Sequence, residues 1–440
     1  MNQPKIKPLP YQEPAIERHS WVFSRYKASL EASGTGFGKT YVALFVAKQM
    51  QLPVGIVCPK AVIGQWKKAA DEVGIEPVFC TNYEQVKSKK FPHGKWMWRG
   101  KEAKTAKKQF QWDLPEQSLL IFDEVHVCKN RKAQNSKLLV GAVNEHYILA
   151  LSATVAENPM DLYALGMALG LHDGTSQFWW FLRAHGVVKT EFGFKFNGDT
   201  KAIERIRNHI YPERGYRINP QEIPGFPENQ INLVTVTHKN AKAVEQQLTD
   251  LWDKMMDDIP LPVVELLRAR QESELLKVDY LADQILNVMQ EGYSVAVFLN
   301  FKETIRSVYK LVSEKIATGV SVIDGDHNNT REQELFQNNT NHLILVQIQS
   351  GGQGIDLHDL HGRPRMSFIS PSYNARQLLQ VMGRIHRAGQ LSKSIQNLLF
   401  LQGTTEEKVM KQVQKKVGHI SSLNDNDVNP FADATVEISK

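Results

Sequence analysis

The chain has 440 residues, 42% of them hydrophobic and 23% charged, the balance of a globular protein with room for two or three cores. Its 53 lysines and arginines outnumber 47 acidic residues, a mild excess that suits an anionic partner without requiring one. Cys58, Cys80 and Cys128 are odd in number and scattered, which excludes a disulfide framework or a zinc spacing and points to a reducing compartment. Met1-Asn2-Gln3-Pro4-Lys5 lacks the apolar core of a secretory signal, and no run reaches membrane-spanning length. A cytoplasmic chain that stays off membranes is expected.

In chain order, Leu9-Pro10-Tyr11-Gln12 comes first. A glutamine just upstream of a phosphate loop can read an adenine edge, because its amide both donates and accepts; a surface glutamine in a turn after Pro10 is the bland alternative. Ser33-Gly34-Thr35-Gly36-Phe37-Gly38-Lys39-Thr40 comes next, with a helix-like run from Tyr41 to Met50. Such a loop frees backbone N–H groups to surround phosphate oxygens. Lys39 adds a cation near the terminal phosphates, and the Thr40 hydroxyl can reach a magnesium ion. The helix start aims its positive end at the anion. Ser33 stands where the usual pattern opens with glycine.

Val54–Pro59, Leu119–Phe122 and Tyr147–Leu151 are short apolar runs separated by helical patterns, which predicts a parallel sheet buried on both faces. Polar residues then belong at the strand ends. Asp123-Glu124-Val125-His126 succeeds one strand directly. Successive side chains on an extended segment point to opposite sides, so Asp123 is expected to hold the metal through water and Glu124 to polarise the attacking water. A solvated acidic pair is the competing reading. Ser152-Ala153-Thr154 ends the next strand, either relaying hydrogen bonds or merely capping a helix.

Between those strands lie Lys87, Lys89, Lys90, Lys95, Arg99, Lys101, Lys104, Lys107 and Lys108, with one acid, Glu102. Phe91, Trp96, Trp98, Phe110 and Trp112 are interleaved. Cations neutralise phosphates and rings stack on bases, so Lys95, Trp96, Trp98, Arg99, Lys101, Lys104, Lys107 and Lys108 are candidate DNA contacts. A lysine-rich solvated insertion anchored by its tryptophans is the alternative.

Phe178-Trp179-Trp180-Phe181 is expected to pack, and Phe192 to Asp199 suggests a small hairpin. The stretch 219–227, with three prolines, reads as a connector. After a strand-like Ile231–Val236, residues 240–291 look helical. A second α/β unit comes after them, with candidate strands Val295–Leu299, Val320–Ile323, Leu343–Val346, Met366–Ile369 and Leu398–Leu401. Ser350 to Asp356 supplies glycines, Gly354 among them, for close backbone approach, with a plain flexible turn as the competing reading. If Gln380 to Gln390 is helical, Gln380, Arg384 and Arg387 share one face and Gly389 ends the helix. Two permanent cations there would suit a transferring phosphoryl group; an exposed polar stripe is the alternative. Residues 404–418 read as a final amphipathic helix, and 421–440 as a disordered tail. The expected division is 1–170, 171–229, 230–420 and 421–440.

The order of these motifs resembles the superfamily 2 helicases, most closely the Swi/Snf-type DNA translocases. The phosphate loop, Asp123–His126, Ser152–Thr154 and Gln380–Arg387 match the superfamily. The closer likeness lies in Gly351–Leu357, His386–Gln390, Asp324-Gly325 with Arg331 and Phe336, and Gly403-Thr404-Thr405-Glu406-Glu407. The resemblance implies an α/β fold of two RecA-like lobes, each a mainly parallel sheet flanked by helices, with ATP in the cleft between them. It implies an ATP hydrolase with Gln12 on adenine, Ser33 to Thr40 on the phosphates, Thr40 and Asp123 on Mg2+, Glu124 on the attacking water, and Gln380, Arg384 and Arg387 completing catalysis. His126, Ser152, Thr154, Gly354 and Asp356 would couple the nucleotide to the rest.

Two features depart from Swi/Snf relatives: Ser152-Ala153-Thr154 in place of a Thr-Gly-Thr arrangement, and Asp356 in place of asparagine. With a short inter-lobe region, they suggest a compact bacterial or phage-like monomer acting on branched or protein-bound duplex DNA, as in repair. The alternatives are a strand-separating DNA or RNA helicase and a nucleotide-gated DNA-binding protein with negligible turnover. Reversing Lys101, Lys104, Lys107 and Lys108 to glutamate is expected to weaken DNA affinity and flatten its salt dependence, measured by anisotropy titrations across salt. Unchanged binding removes the patch from the mechanism.

Overall fold

A computed structural model describes residues 5–99, 107–191, 193–220, 223–246, 263–326, 329–351, 354–372, 374–423, 431 and 434–438. They group into two compact units, one within Met1–Pro224 and Gly418–Asp427, the other within Gly225–Val417 and Val428–Lys440.

In the first unit the strands are β1 (Ala28–Glu31), β2 (Val54–Cys58), β3 (Phe79–Asn82), β4 (Gly94–Arg99), β5 (Lys107–Trp112), β6 (Leu119–Phe122), β7 (Tyr147–Leu151), β8 (Val187–Thr190), β9 (Gly193–Phe196) and β10 (Gly215–Tyr216). Six of them form a sheet in the order β10-β1-β7-β6-β2-β3, every pairing parallel. β1, β2 and β6 are buried at every position, as a sheet covered by helices on both faces requires. Phosphate-loop, acidic and Ser152 segments all leave this sheet at strand ends.

The basic insertion is an antiparallel hairpin, β4 on β5. Its period of two sorts the interleaved residues. Trp112, Phe110 and Trp96 share one face, and Phe110 and Trp112 are buried against the helix Gln134–Ala142. Trp112 Nε1 donates to Leu138 O at 3.0 Å and Trp96 Nε1 to Lys87 O at 3.0 Å. A Cβ at Gly141 would lie 2.3 Å from Phe110 O, so glycine lets helix and hairpin approach this closely. Trp98 and Lys108 continue that face beyond the core, Trp98 remaining 69% exposed. Lys101 and Lys104 lie outside the described residues.

A second hairpin pairs β8 with β9, so the alternating run around Phe194 is its later arm. Phe178 and Phe181 are buried as expected, but Trp180 is 70% exposed.

In the second unit β11 (Asn229–Val236), β12 (Ser294–Leu299), β13 (Val320–Ile323), β14 (Leu343–Gln347), β15 (Arg365–Ile369), β16 (Ser394–Leu401) and β17 (Thr435–Ile438) form one sheet. Its order is β13-β14-β12-β15-β16-β11-β17, again all parallel. Its core is mostly aliphatic, from Val295, Val297 and Leu345, with Phe368, against Leu281, Ile285 and Val308.

The end of the chain differs from expectation. The last helix runs Thr405–Leu423 and Leu423 is buried in the first unit's core, while Thr435–Ile438 pairs with β11. An apolar leucine and a free strand edge each supply burial or hydrogen bonds that a polar-looking tail hides in sequence. Of the helical stretch expected over 240–291, Val263–Leu275 and Val278–Gln290 are helices, and 247–262 lie outside the described residues. Among the described residues no helix is long and apolar enough to cross a membrane, and all three cysteines are free thiols.

Glu406, inside the Gly403–Glu407 motif, explains that motif structurally. Its carboxylate accepts from Lys277 Nζ at 2.8 Å, Ser273 Oγ at 2.7 Å and Leu401 N at 2.8 Å, pinning the last helix to the second unit. The Lys277 side chain is only 3% exposed. Glu406→Ala would leave a buried ammonium uncompensated and is expected to cost ~3–5 kcal/mol, read as a lowered urea midpoint by circular dichroism; a loss below ~1 kcal/mol, the worth of an exposed pair, would overturn this role.

Candidate active site

Glu31 closes β1 with no exposed surface and anchors the start of the phosphate loop. Its Oε1 accepts the Ser33 N–H at 2.8 Å. Its Oε2 lies 2.9 Å from Nε2 of the buried His19, whose Nδ1 lies 2.7 Å from Ser29 Oγ. Burial alone would raise the Glu31 pKa, but the His19 hydrogen bond and charge, with the Ser33 contacts, outweigh it and hold the carboxyl below its ordinary value.

The phosphate loop then turns through Gly36 (φ 89°) and Gly38 (φ 76°), left-handed positions that suit glycine. Gly38 caps the helix Lys39–Met50. Lys39 Nζ donates to Ser33 O at 2.8 Å and Gly34 O at 2.9 Å. Desolvation lowers its pKa, while the carboxylates of Glu124, Glu31 and Asp123 oppose that.

Gln12 is buried, accepts from Leu9 N at 3.0 Å and directs Nε2 at Phe37 O, 3.5 Å away. A Cβ on Gly38 would meet that Nε2 at 2.2 Å. The glutamine thus packs on the phosphate loop itself. A segment that carries no recognisable motif also grips the loop: Arg217 Nη1 donates to Ala32 O, and Ile218 N donates to Ser33 Oγ at 2.8 Å.

Asp123 and Glu124 lie in the turn beyond β6 rather than on the strand. β6 ends at Phe122, and Glu124 adopts φ 51° and ψ 47°, a left-handed conformation that costs about 1–3 kcal/mol for a non-glycine residue and is found where function needs it. The two carboxylates are therefore separated by a kink rather than by strand alternation. Asp123 Oδ2 accepts from Trp66 Nε1 at 2.9 Å and Oδ1 from Glu124 N at 2.9 Å, while Tyr83 OH donates to its carbonyl at 2.7 Å. Burial first, then the adjacent Glu124 charge, push its pKa up to about 6. The Asp123 carboxylate, beside a second carboxylate whose repulsion a cation would relieve, offers the hard oxygens that suit Mg2+.

Glu124 Oε2 lies 3.1 Å from His126 Nδ1, which is 3.2 Å from Ser152 Oγ. Ser152 Oγ accepts from Thr154 N at 3.2 Å. The acidic segment and the Ser152 segment are thus joined by a chain of polar contacts.

The second unit corrects the helical reading of the arginine segment. The helix is Ala375–Met382 and carries Gln380, which is buried; Gly383 caps it, and Arg384 and Arg387 lie beyond its end. The chain leaves the helix because the neighbouring loop competes for it. Leu357 N donates to Arg384 O at 2.9 Å, Arg384 Nη1 to Ile355 O at 3.1 Å, and Arg387 Nη2 to the same oxygen at 3.3 Å. Arg387 also pairs with Asp356. Desolvation lowers the Arg387 pKa and Asp356 opposes it. Gly354, at φ 78°, sits in the same loop, and the glycine stretch begins as a helical turn, Ile348–Gly351. Gly352 and Gln353 lie outside the described residues.

His19, Glu31, Trp66, Tyr83 and Arg217 were not singled out from sequence. Only Glu31, an acid immediately ahead of a phosphate loop, left a signal that could have been read. Glu31→Gln is expected to lower stability by ~1.5–3 kcal/mol at pH 7, the worth of hydrogen bonds to a charged group. Because the folded pKa is depressed, that contribution is whole above the unfolded carboxylate value of about 4.3 and fades as pH falls through the folded one. Urea midpoints should therefore differ at pH 7 and converge as pH falls through the folded value; a constant gap would sink the assignment.

The family described as type III restriction enzyme, res subunit, matches residues 5–157, and the helicase conserved C-terminal domain matches 276–389, one in each unit. A protein of Acanthamoeba polyphaga mimivirus, named an ATP-dependent RNA helicase, is 27% identical over 97% of this chain and 85% of its own length. A Caenorhabditis elegans homologue of the SWI/SNF-related matrix-associated actin-dependent regulator of chromatin subfamily A-like protein 1 is 22% identical over 95% of this chain and 62% of its own. The fold is also that of S. cerevisiae Dbp5 bound to RNA and ADP BeF3, with a TM-score of 0.50 at 13% identity over 98% of this chain and 90% of that one. The two matched regions, the two RecA-like sheets and the phosphate loop with its acidic partner segment make this chain a superfamily 2 helicase, an ATP-binding hydrolase with SWI/SNF-related proteins among its relatives.

Proposed function

We propose that the chain is an ATP-driven translocase on duplex DNA that remodels branched or protein-bound DNA. The observation that carries this reading is the contact chain Glu124–His126–Ser152, because a motor must tie the hydrolytic carboxylate to a segment that can pass a change onward. Glu124 polarises the attacking water, and Lys39 and the loop N–H groups from Gly34 to Lys39 bind the phosphates. Gln12 reads the adenine edge. A magnesium ion held by Thr40 and, through water, by Asp123 would neutralise charge on the phosphoryl oxygens. Arg384 and Arg387 supply guanidinium charge to the transferring group, with Gln380 beside them. Asp356 holds Arg387 and Gly354 gives their loop its turn, while Ser152 and Thr154 pass the change along.

The relative named as a SWI/SNF-related regulator of chromatin supports DNA as the track. A second reading, a strand-separating RNA helicase, is supported by the name of the mimivirus relative. ATPase turnover compared over single-stranded, duplex, forked and four-way DNA and over RNA separates the two, with strand-displacement and triplex-displacement assays run alongside. Stimulation by duplex and forked DNA, together with triplex displacement, is the expected result. Turnover indifferent to DNA sinks the translocase, and stimulation by RNA alone installs the second reading. Glu124→Gln is expected to lower kcat by about 10²–10⁴ while ATP still binds.

A further inference from the structure

A cavity of about 640 Å³ opens in the first unit, away from the phosphate loop, between the β4–β5 hairpin, the helix Gln134–Ala142 and the residues Tyr163, Met167 and Thr175. Lys108, Arg131, Lys132 and Lys137 line it, against one acid, Glu145. Among the described residues none of these four cations forms an ion pair with a carboxylate. Two are held by rings instead: the Lys108 ammonium lies 5.3 Å from the Trp96 ring and the Arg131 guanidinium 5.2 Å from the Trp179 ring. Trp98 stands at the cavity's edge with 69% of its surface exposed. Ser136, fully buried, also lines the cavity, and its hydroxyl has no hydrogen-bond partner among the described residues.

Cations from the hairpin and the helix side of the cavity, an open indole and an unanswered hydroxyl together fit a ligand with phosphates, flat rings and hydrogen-bonding edges. The geometry points to a binding groove for single-stranded nucleic acid, seated on Trp98 with its phosphates on Lys108, Arg131, Lys132 and Lys137. The ligand class rests on the proposed nucleic-acid motor; the choice of single strand does not. Base faces inside a duplex are stacked on one another, so an indole can take up only an unpaired base. The cavity volume falls in the ~300–1,000 Å³ range of ligand clefts. An acidic peptide would meet the cations and leave the indole face unused. Placed on a fork-remodelling motor, the groove would hold the arm that has lost its partner strand.

The test uses the full chain with a fluorescein-labelled single-stranded oligonucleotide, a blunt duplex and an acidic peptide, titrated by anisotropy across salt. Lys132→Glu/Lys137→Glu is expected to reduce the slope of log K against log salt on the single strand by about 1.4, roughly 0.7 for each lost phosphate contact. Trp98→Ala is expected to weaken single-strand binding about tenfold, the size of one stacking contact, and to leave the blunt duplex unaffected. Unchanged single-strand affinity and slope in both variants overturn the groove. Equal losses on single strand and duplex, or losses confined to the peptide, overturn the assignment to an unpaired strand. Absence of DNA-stimulated turnover in the unaltered chain would instead overturn the motor, and single-strand binding sensitive to these substitutions would stand without it.

Discussion

A carboxylate sealed inside the first unit sets the form of the phosphate loop. Glu31 has no access to water, so its charge must be answered by fixed donors, and those donors are His19 and the Ser33 amide. Each tie has a structural consequence. His19 belongs to the helix Glu13–Phe23, whose preceding turn places Gln12 against Phe37 and Gly38. Ser33 opens the loop, and its carbonyl receives Lys39. Helix, strand and loop are thereby referred to one buried charge, which is costly to leave unpaired and so enforces a single arrangement.

The second constraint is the parallel sheet itself. Strands buried on both faces cannot carry polar side chains along their length, so chemistry is displaced to their ends. At the end of β6 that displacement is sharpened by the left-handed Glu124, which turns its carboxylate toward His126 and so toward Ser152 at the end of β7. The second unit applies the same rule to cations. Its helix stops at Met382, and the carbonyl of Ile355 together with Asp356 takes up Arg384 and Arg387. Two guanidiniums near an apolar sheet are tolerated because backbone oxygens and a carboxylate meet them.

The basic insertion joins packing to binding. Alternation along β4 and β5 sends Phe110 and Trp112 into the core and carries Trp98 and Lys108 beyond it on the same face. The rings that looked like a stacking surface in sequence are thus divided between an anchor and an exposed edge. Gly141 permits the close approach that leaves a cavity beside the helix rather than filling it.

Local patterns were enough to place β2, β6, β7, β13 and most of the second sheet, because uninterrupted apolar runs between helical periods have few other folds open to them. They were enough, too, to place Lys39, Asp123 and Glu124 at the ends of the loop and the strand that set their spacing. β1 and β10 escaped notice: Ala28–Glu31 ends in an acid, and Gly215–Tyr216 is two residues long, so each exists only through its neighbours in the sheet. For the same reason the pairing of Glu31 with His19, the bonds of Arg217 and Ile218 to the loop, and the turn that removes Arg384 and Arg387 from their helix could not be read from order alone. Burial, and which polar groups then answer one another, depends on residues far apart in the chain, and only the folded structure brings them within hydrogen-bonding reach.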